Sequence, residues 1–108
     1  DEAVGYFDKG ISVEPDYATI HHNKGWLLNK LGLYTEAIKC FQRALELEPN
    51  RAVTYENLAD AYANLQQYQL ALESYKKAIE CLPPSCNMIK KEILKHVQEV
   101  EKKLGKAE

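Results

Sequence analysis

Tyr34-Thr35-Glu36-Ala37-Ile38-Lys39-Cys40-Phe41-Gln42-Arg43-Ala44-Leu45-Glu46-Leu47-Glu48-Pro49-Asn50 decides how the rest of the chain is read. Its apolar residues Tyr34, Ala37, Ile38, Phe41, Ala44, Leu45 and Leu47 follow the three-and-four spacing of an amphipathic helix, and Pro49 stops it. The shift that carries Tyr34 onto Tyr68 also places Ala71, Leu72, Tyr75, Ala78, Ile79 and Pro83 in the same frame. The same shift backward places Ala3, Val4, Phe7, Gly10, Ile11, Val13 and Pro15 there. Two equal shifts that keep small, aromatic and proline positions together mark a repeat protein.

Between these stretches lie their partners. Glu2 to Val13 reads as a helix weakened by Gly5 and Gly10, ended by Pro15, with Asp16 able to cap the helix after it. Tyr17 to Leu31 is that next helix, with Gly25 admitting a close neighbour and Gly32 closing it in a left-handed terminus. The turn before Tyr34 is so short that the two helices must run antiparallel. Ala52 to Leu65, a Gln66-Gln67 turn and Tyr68 to Cys81 repeat the plan. Pro83-Pro84-Ser85 breaks the chain, and Ser85 is the expected cap of a last helix through Leu104. That helix carries one narrow apolar stripe, Ile89, Ile93, Val97, Val100 and Leu104, as a terminal cap would. The expected division is 1–17, the second helix of an incomplete repeat; 18–51 and 52–85, two full repeats; and 86–108, a capping helix and tail.

Composition narrows the function classes. The 108 residues are 45% hydrophobic and 28% charged, as expected of one soluble domain. A net charge of -2 argues against nucleic acid as a partner. No apolar run approaches the roughly 18 residues that span a bilayer, so no membrane insertion is expected. Cys40, Cys81 and Cys86 form an odd set on a chain that needs no disulfide framework, which points to a reducing, cytoplasmic location; Cys81 and Cys86, on either side of Pro83-Pro84, read as free thiols, with oxidation to each other the alternative. Neither a nucleophile motif nor a phosphate loop is present, and the adjacent His21 and His22 point about 100° apart on a helix. The reading is therefore non-enzymatic, with no cofactor and no metal.

Gly25, Ala37, Phe41, Ala44 and Pro49 in one unit, with Tyr55, Leu58, Ala59, Tyr62, Ala71, Tyr75, Ala78 and Pro83 in the next, resemble the tetratricopeptide repeat family. The resemblance covers Glu2 to Pro84 directly and the last helix by analogy. It implies an all-α, right-handed superhelical stack of antiparallel helix pairs, an α-solenoid, with first helices lining a concave groove that takes a peptide segment of a partner. Carried onto this sequence, the groove consists of Thr19, His22, Asn23, Trp26 and Lys30, then Val53, Glu56, Asn57, Asp60 and Asn64, then Lys90 and Lys91. The amides of Asn23 and Asn57 are related by the repeat shift; one reading has them hold peptide backbone, the other has them pack successive units. Trp26 is similarly open, as an anchor for a partner or as a packing residue.

Two departures stand out. His21 and Lys24 replace the family's usual tryptophan and leucine, and the opening segment lacks the first helix of its unit. The second departure suggests a piece of a longer array, or an open end at Val4 and Phe7 through which the chain could form a homo-oligomer. The family's carboxylate clamp for Hsp70 and Hsp90 tails is incomplete: centred on Asn57, it finds His22 and Trp26 where lysine and asparagine are wanted, and Asn87 where lysine is. Glu56 and Asp60 would also repel a terminal carboxylate.

Overall fold

The computed structural model describes residues 18–107, with side chains through 105, so the expected first helix, the Asp16 cap and the open end at Val4 and Phe7 lie outside the described residues. Five helices follow in order: α1 Ala18–Lys30, α2 Tyr34–Leu47, α3 Ala52–Asn64, α4 Tyr68–Cys81 and α5 Asn87–Ala107. No strand occurs among the described residues. The chain divides between Asn50 and Arg51 into two compact units, one holding the α1–α2 hairpin and the other α3, α4 and α5.

In the first unit α1 packs on α2 through a small-to-large fit. A methyl group on Gly25 would sit 2.7 Å from Phe41 Cε1 and 2.8 Å from Cδ1, so glycine lets the fully buried Phe41 ring lie directly against the α1 backbone. Ala37, Ala44 and Leu28 complete the contact, all buried. The residues that replace the usual tryptophan and leucine are accommodated differently from each other. His21 is buried, whereas Lys24 is half-buried and its ammonium acts on the Cys40 thiol. Burial pushes that thiol up, and Lys24 opposes the shift.

Both hairpins turn in the same way. The Leu33 amide donates to the Leu28 carbonyl at 2.9 Å, and at the equivalent place in the next repeat the Gln67 amide donates to the Tyr62 carbonyl at 2.9 Å. The closing residue has a left-handed backbone in each, Gly32 at φ 81° and Gln66 at φ 63°. Glycine takes that conformation without strain, whereas glutamine carries a Cβ that crowds the following carbonyl. Replacing Gln66 with Gly is therefore expected to stabilise the second unit by about 0.5–1 kcal/mol, and Gly32→Ala to destabilise the first by about 1 kcal/mol. Urea unfolding of each variant against the parent checks both signs. The other ends of α2 and α4 stop where Glu48 and Leu82 precede proline, with extended backbones at φ −135°, ψ 89° and φ −77°, ψ 138°.

The second unit builds its core from Ala59, Ala71, Leu72, Tyr75 and Ala78 against Ile93, Val97 and Val100 of α5. Two expectations change here. Ile89, assigned to the apolar stripe, is 46% exposed, so the packed stripe begins one turn later at Ile93. The α5 cap is Cys86 rather than Ser85: the Cys86 carbonyl accepts the Lys90 amide at 3.1 Å, which starts the helix at Asn87.

Candidate functional site

α1 presents Thr19, Asn23, Trp26 and Lys30 to solvent, spaced four, three and four residues apart on one side of the helix. Trp26 is 47% exposed, and the Lys30 ammonium stands 5.5 Å from the centre of its ring. An exposed tryptophan backed by a cation is a rigid apolar shelf with a wet edge. His22 does not join this face. It is 7% exposed and its ring lies 5.7 Å from Phe41 at a tilt of 51°, so it packs in the hairpin instead of facing a ligand.

α3 carries the equivalent stripe of the next repeat. Val53 and Asn64 are exposed at its ends, and Glu56, Asn57 and Asp60 are half-buried between them. Asp60 accepts a hydrogen bond from the Tyr75 hydroxyl, and the Tyr75 ring lies nearly parallel to His96 of α5, 9° between planes and 5.9 Å between centres. The equivalent positions of the preceding repeat explain the pair: Phe41 stands where Tyr75 does and Trp26 where Asp60 does. A buried phenol requires an acceptor that a buried phenyl does not. Burial, the bond to Asp60 and the charges of Asp60, Glu56 and Glu99 all push Tyr75 upward, so its hydroxyl stays protonated and remains the donor.

Glu56 titrates above its ordinary value because burial disfavours its charge and Asp60 and Glu92 repel it, with His96 opposing. Lys90 and Lys91 are exposed on α5, but the α5 groups acting on Glu56 are Glu92 and His96. Sequence reasoning missed Tyr75, Glu92 and His96 as groups that meet or act on Glu56, Asp60 or each other; the Phe-to-Tyr change between repeats was the one available signal.

A raised carboxylate pKa means that the folded chain holds the proton more tightly than the unfolded chain. Ionised Glu56 therefore costs stability above its folded pKa, and the cost is gone below the ordinary value of 4.5. Glu56→Gln is expected to raise the melting temperature at neutral pH and to leave it nearly unchanged near pH 4. Thermal melts across that range check this; an equal shift at both ends would assign the gain to packing rather than charge.

Elsewhere a shallow depression of about 400 Å³ lies at the α3–α4 turn, lined by Gln66, Gln67, Tyr68, Gln69, Leu70 and Leu104. It includes none of the expected site residues. No described helix is long and apolar enough to cross a membrane, and no group of His, Cys, Asp and Glu among the described residues is placed to hold a metal.

A family model described as tetratricopeptide repeat matches residues 16–83. Among solved structures, the first TPR of Spaghetti (RPAP3) bound to the HSP90 peptide SRMEEVD is 20% identical, with a TM-score of 0.86 over 97% of this chain and 79% of that one. The first TPR domain of the human RPAP3 protein is also 20% identical, at a TM-score of 0.87 over 98% and 80%. The TPR2B domain of yeast Sti1 in its pHsp70 complex is 26% identical, at 0.85 over 94% and 82%. A search of curated protein sequences gave no match. The family match covers well over half of the chain, and the helix order and likeness of fold agree with it: the chain belongs to the tetratricopeptide repeat family.

Proposed function

We propose that the chain is a non-catalytic protein-interaction module that holds an extended segment of a partner protein on the first-helix faces of its repeats, as part of a larger assembly. The observation that carries this reading is the stripe of side chains that recurs from one repeat to the next, Thr19, Asn23, Trp26 and Lys30 on α1 and Val53, Asn57, Asp60 and Asn64 on α3. Asn23 and Asn57 each offer a donor and an acceptor, which suits peptide backbone of any sequence. Trp26 supplies apolar area that a partner can desolvate. The three cysteines are free thiols, which fits a reducing, cytoplasmic setting.

Charge selects among segments. Burial first, then Asp60 and Glu92, push Glu56 upward against the opposing His96; an incoming carboxylate would add to the repulsion while a lysine or arginine would relieve it. The second reading, an adaptor for chaperone tails, draws on the two structural neighbours that hold HSP90 and Hsp70 peptides. Against it, His22 is buried where the clamp wants a lysine.

Fluorescence anisotropy with labelled SRMEEVD and a charge-reversed SRMKKVK peptide separates the two readings. The module reading expects the basic peptide to bind at least tenfold more tightly at low salt, with the difference shrinking as salt screens it. Tighter binding of the acidic peptide would establish the adaptor reading and remove the basic preference.

A further inference from the structure

We propose that the seat of α5 is graded by pH: the capping helix is held firmly in mild acid and loosens as the solution turns alkaline. The device is the group of side chains where α3, α4 and α5 meet within the second unit. α5 packs chiefly on α4, laying Ile93, Val97 and Val100 into the core that it shares with Tyr75. Tyr75 is 2% exposed and joins the other two helices: its hydroxyl donates to Asp60 of α3, and its ring lies nearly parallel to His96 of α5. The titratable groups that act at this joint come from all three helices. α3 contributes Glu56 and Asp60, α4 the Tyr75 phenol, and α5 Glu92, His96 and Glu99. The joint thus sets four carboxylates against one imidazole.

Burial, then Asp60 and Glu92, push Glu56 upward, and His96 opposes them. A carboxyl raised in the folded chain costs nothing below its ordinary value of 4.5, and the cost develops as pH rises through the folded value. Glu56 and Glu92 sit on different helices, so part of that cost falls on the contact between α3 and α5: ionised Glu56 pushes α5 away. His96 works in the same direction, because its charge, when it carries a proton, attracts ionised Glu56 across the joint. Both protons taken up on acidification therefore favour a seated α5. Loosening at higher pH uncovers the apolar stripe of Ile93, Val97 and Val100 together with the side of α4 that holds Tyr75. None of this depends on the peptide-binding reading.

The test is native-state hydrogen exchange of the full chain between about pH 8 and about pH 5, with rates corrected for the intrinsic pH dependence of amide exchange. Protection of the amides from Ile93 to Val100 is expected to rise severalfold on acidification relative to those of α3 and α4. Glu56→Gln raises α5 protection at the alkaline end and removes most of the slope. Glu92→Gln acts in the same direction by removing the carboxylate that faces Glu56 from α5. His96→Gln reduces the rise. Glu101→Gln changes an α5 carboxylate that is not among the groups acting on Glu56, and it leaves the slope as it is. Circular dichroism at each pH establishes that every variant is folded. A flat profile in the parent chain, a rise shared equally by α3 and α4, or a slope that survives Glu56→Gln would each overturn the graded seat.

Discussion

Phe41→Ala is expected to destabilise the first unit by about 3–5 kcal/mol, a large part of the stability of a chain this size. The ring is fully buried, lies within van der Waals reach of the α1 backbone at Gly25 and touches His22 at 5.7 Å. Its removal leaves a cavity that the α1–α2 hairpin cannot close, because the surrounding positions Ala37, Ala44 and Gly25 carry almost no side chain to fill it. The complementary change tests the same contact from the other side. Gly25→Ala places a methyl group 2.7 Å from the ring and is expected to cost about 1–3 kcal/mol. In the Phe41→Leu background the added methyl gains room, so the cost of Gly25→Ala should fall, and a double-mutant cycle reads that coupling. Additive losses would show that the two residues do not share one contact. Repeat proteins lose cooperativity between units, so the melt is best followed with a probe in the first unit, such as Trp26 fluorescence.

The second large effect concerns binding. Trp26→Ala is expected to weaken a bound segment by about 2 kcal/mol or more, near thirtyfold in affinity, while the hairpin keeps its stability. The two halves of that statement have separate causes. Trp26 is 47% exposed, so truncation opens no cavity in the core, and the lost area is the area that a partner would cover. Truncation also removes the ring beneath the Lys30 ammonium, which frees that side chain to move. Trp26→Phe should restore much of the affinity. Asn57→Ala should weaken binding less, by the loss of one amide pair, about 0.5–1.5 kcal/mol.

How far the sequence alone leads depends on the range of the interaction that decides each feature. Helix ends were legible because local chemistry sets them: a proline forces the preceding residue to extend, and a glycine at Gly32 accepts the left-handed turn. Gln66 takes the same turn without glycine's freedom, and the repeat register alone located it. The α5 cap moved from Ser85 to Cys86, whose carbonyl accepts the Lys90 amide and so sets the helix start one residue later than a Ser85 cap would. Thr19, Asn23, Trp26 and Lys30 are exposed, as helical spacing on one side of α1 leads one to expect. His22 departs from this face: it is buried, and its ring packs against Phe41 across the hairpin.

The charged group of the second unit was beyond such reading. Asp60, Tyr75 and His96 lie on three different helices, and their meeting is fixed by how α4 and α5 pack against each other. Periodicity assigns a residue to a side of its own helix but does not say which neighbour's charge it meets. Lys90 and Lys91 satisfied the spacing rule, yet Glu92 and His96 are the α5 groups whose fields reach Glu56.

The measurement that bears most directly on the central claim is capture of partners from a cell lysate by the parent chain and by a triple Asn23→Ala, Trp26→Ala, Asn57→Ala variant, with circular dichroism melts to establish that both are folded. A partner retained by the parent and lost from the folded variant is the result expected if the first-helix faces hold the segment. Retention of the same partner by both would contradict the account and move the binding surface to another part of the molecule.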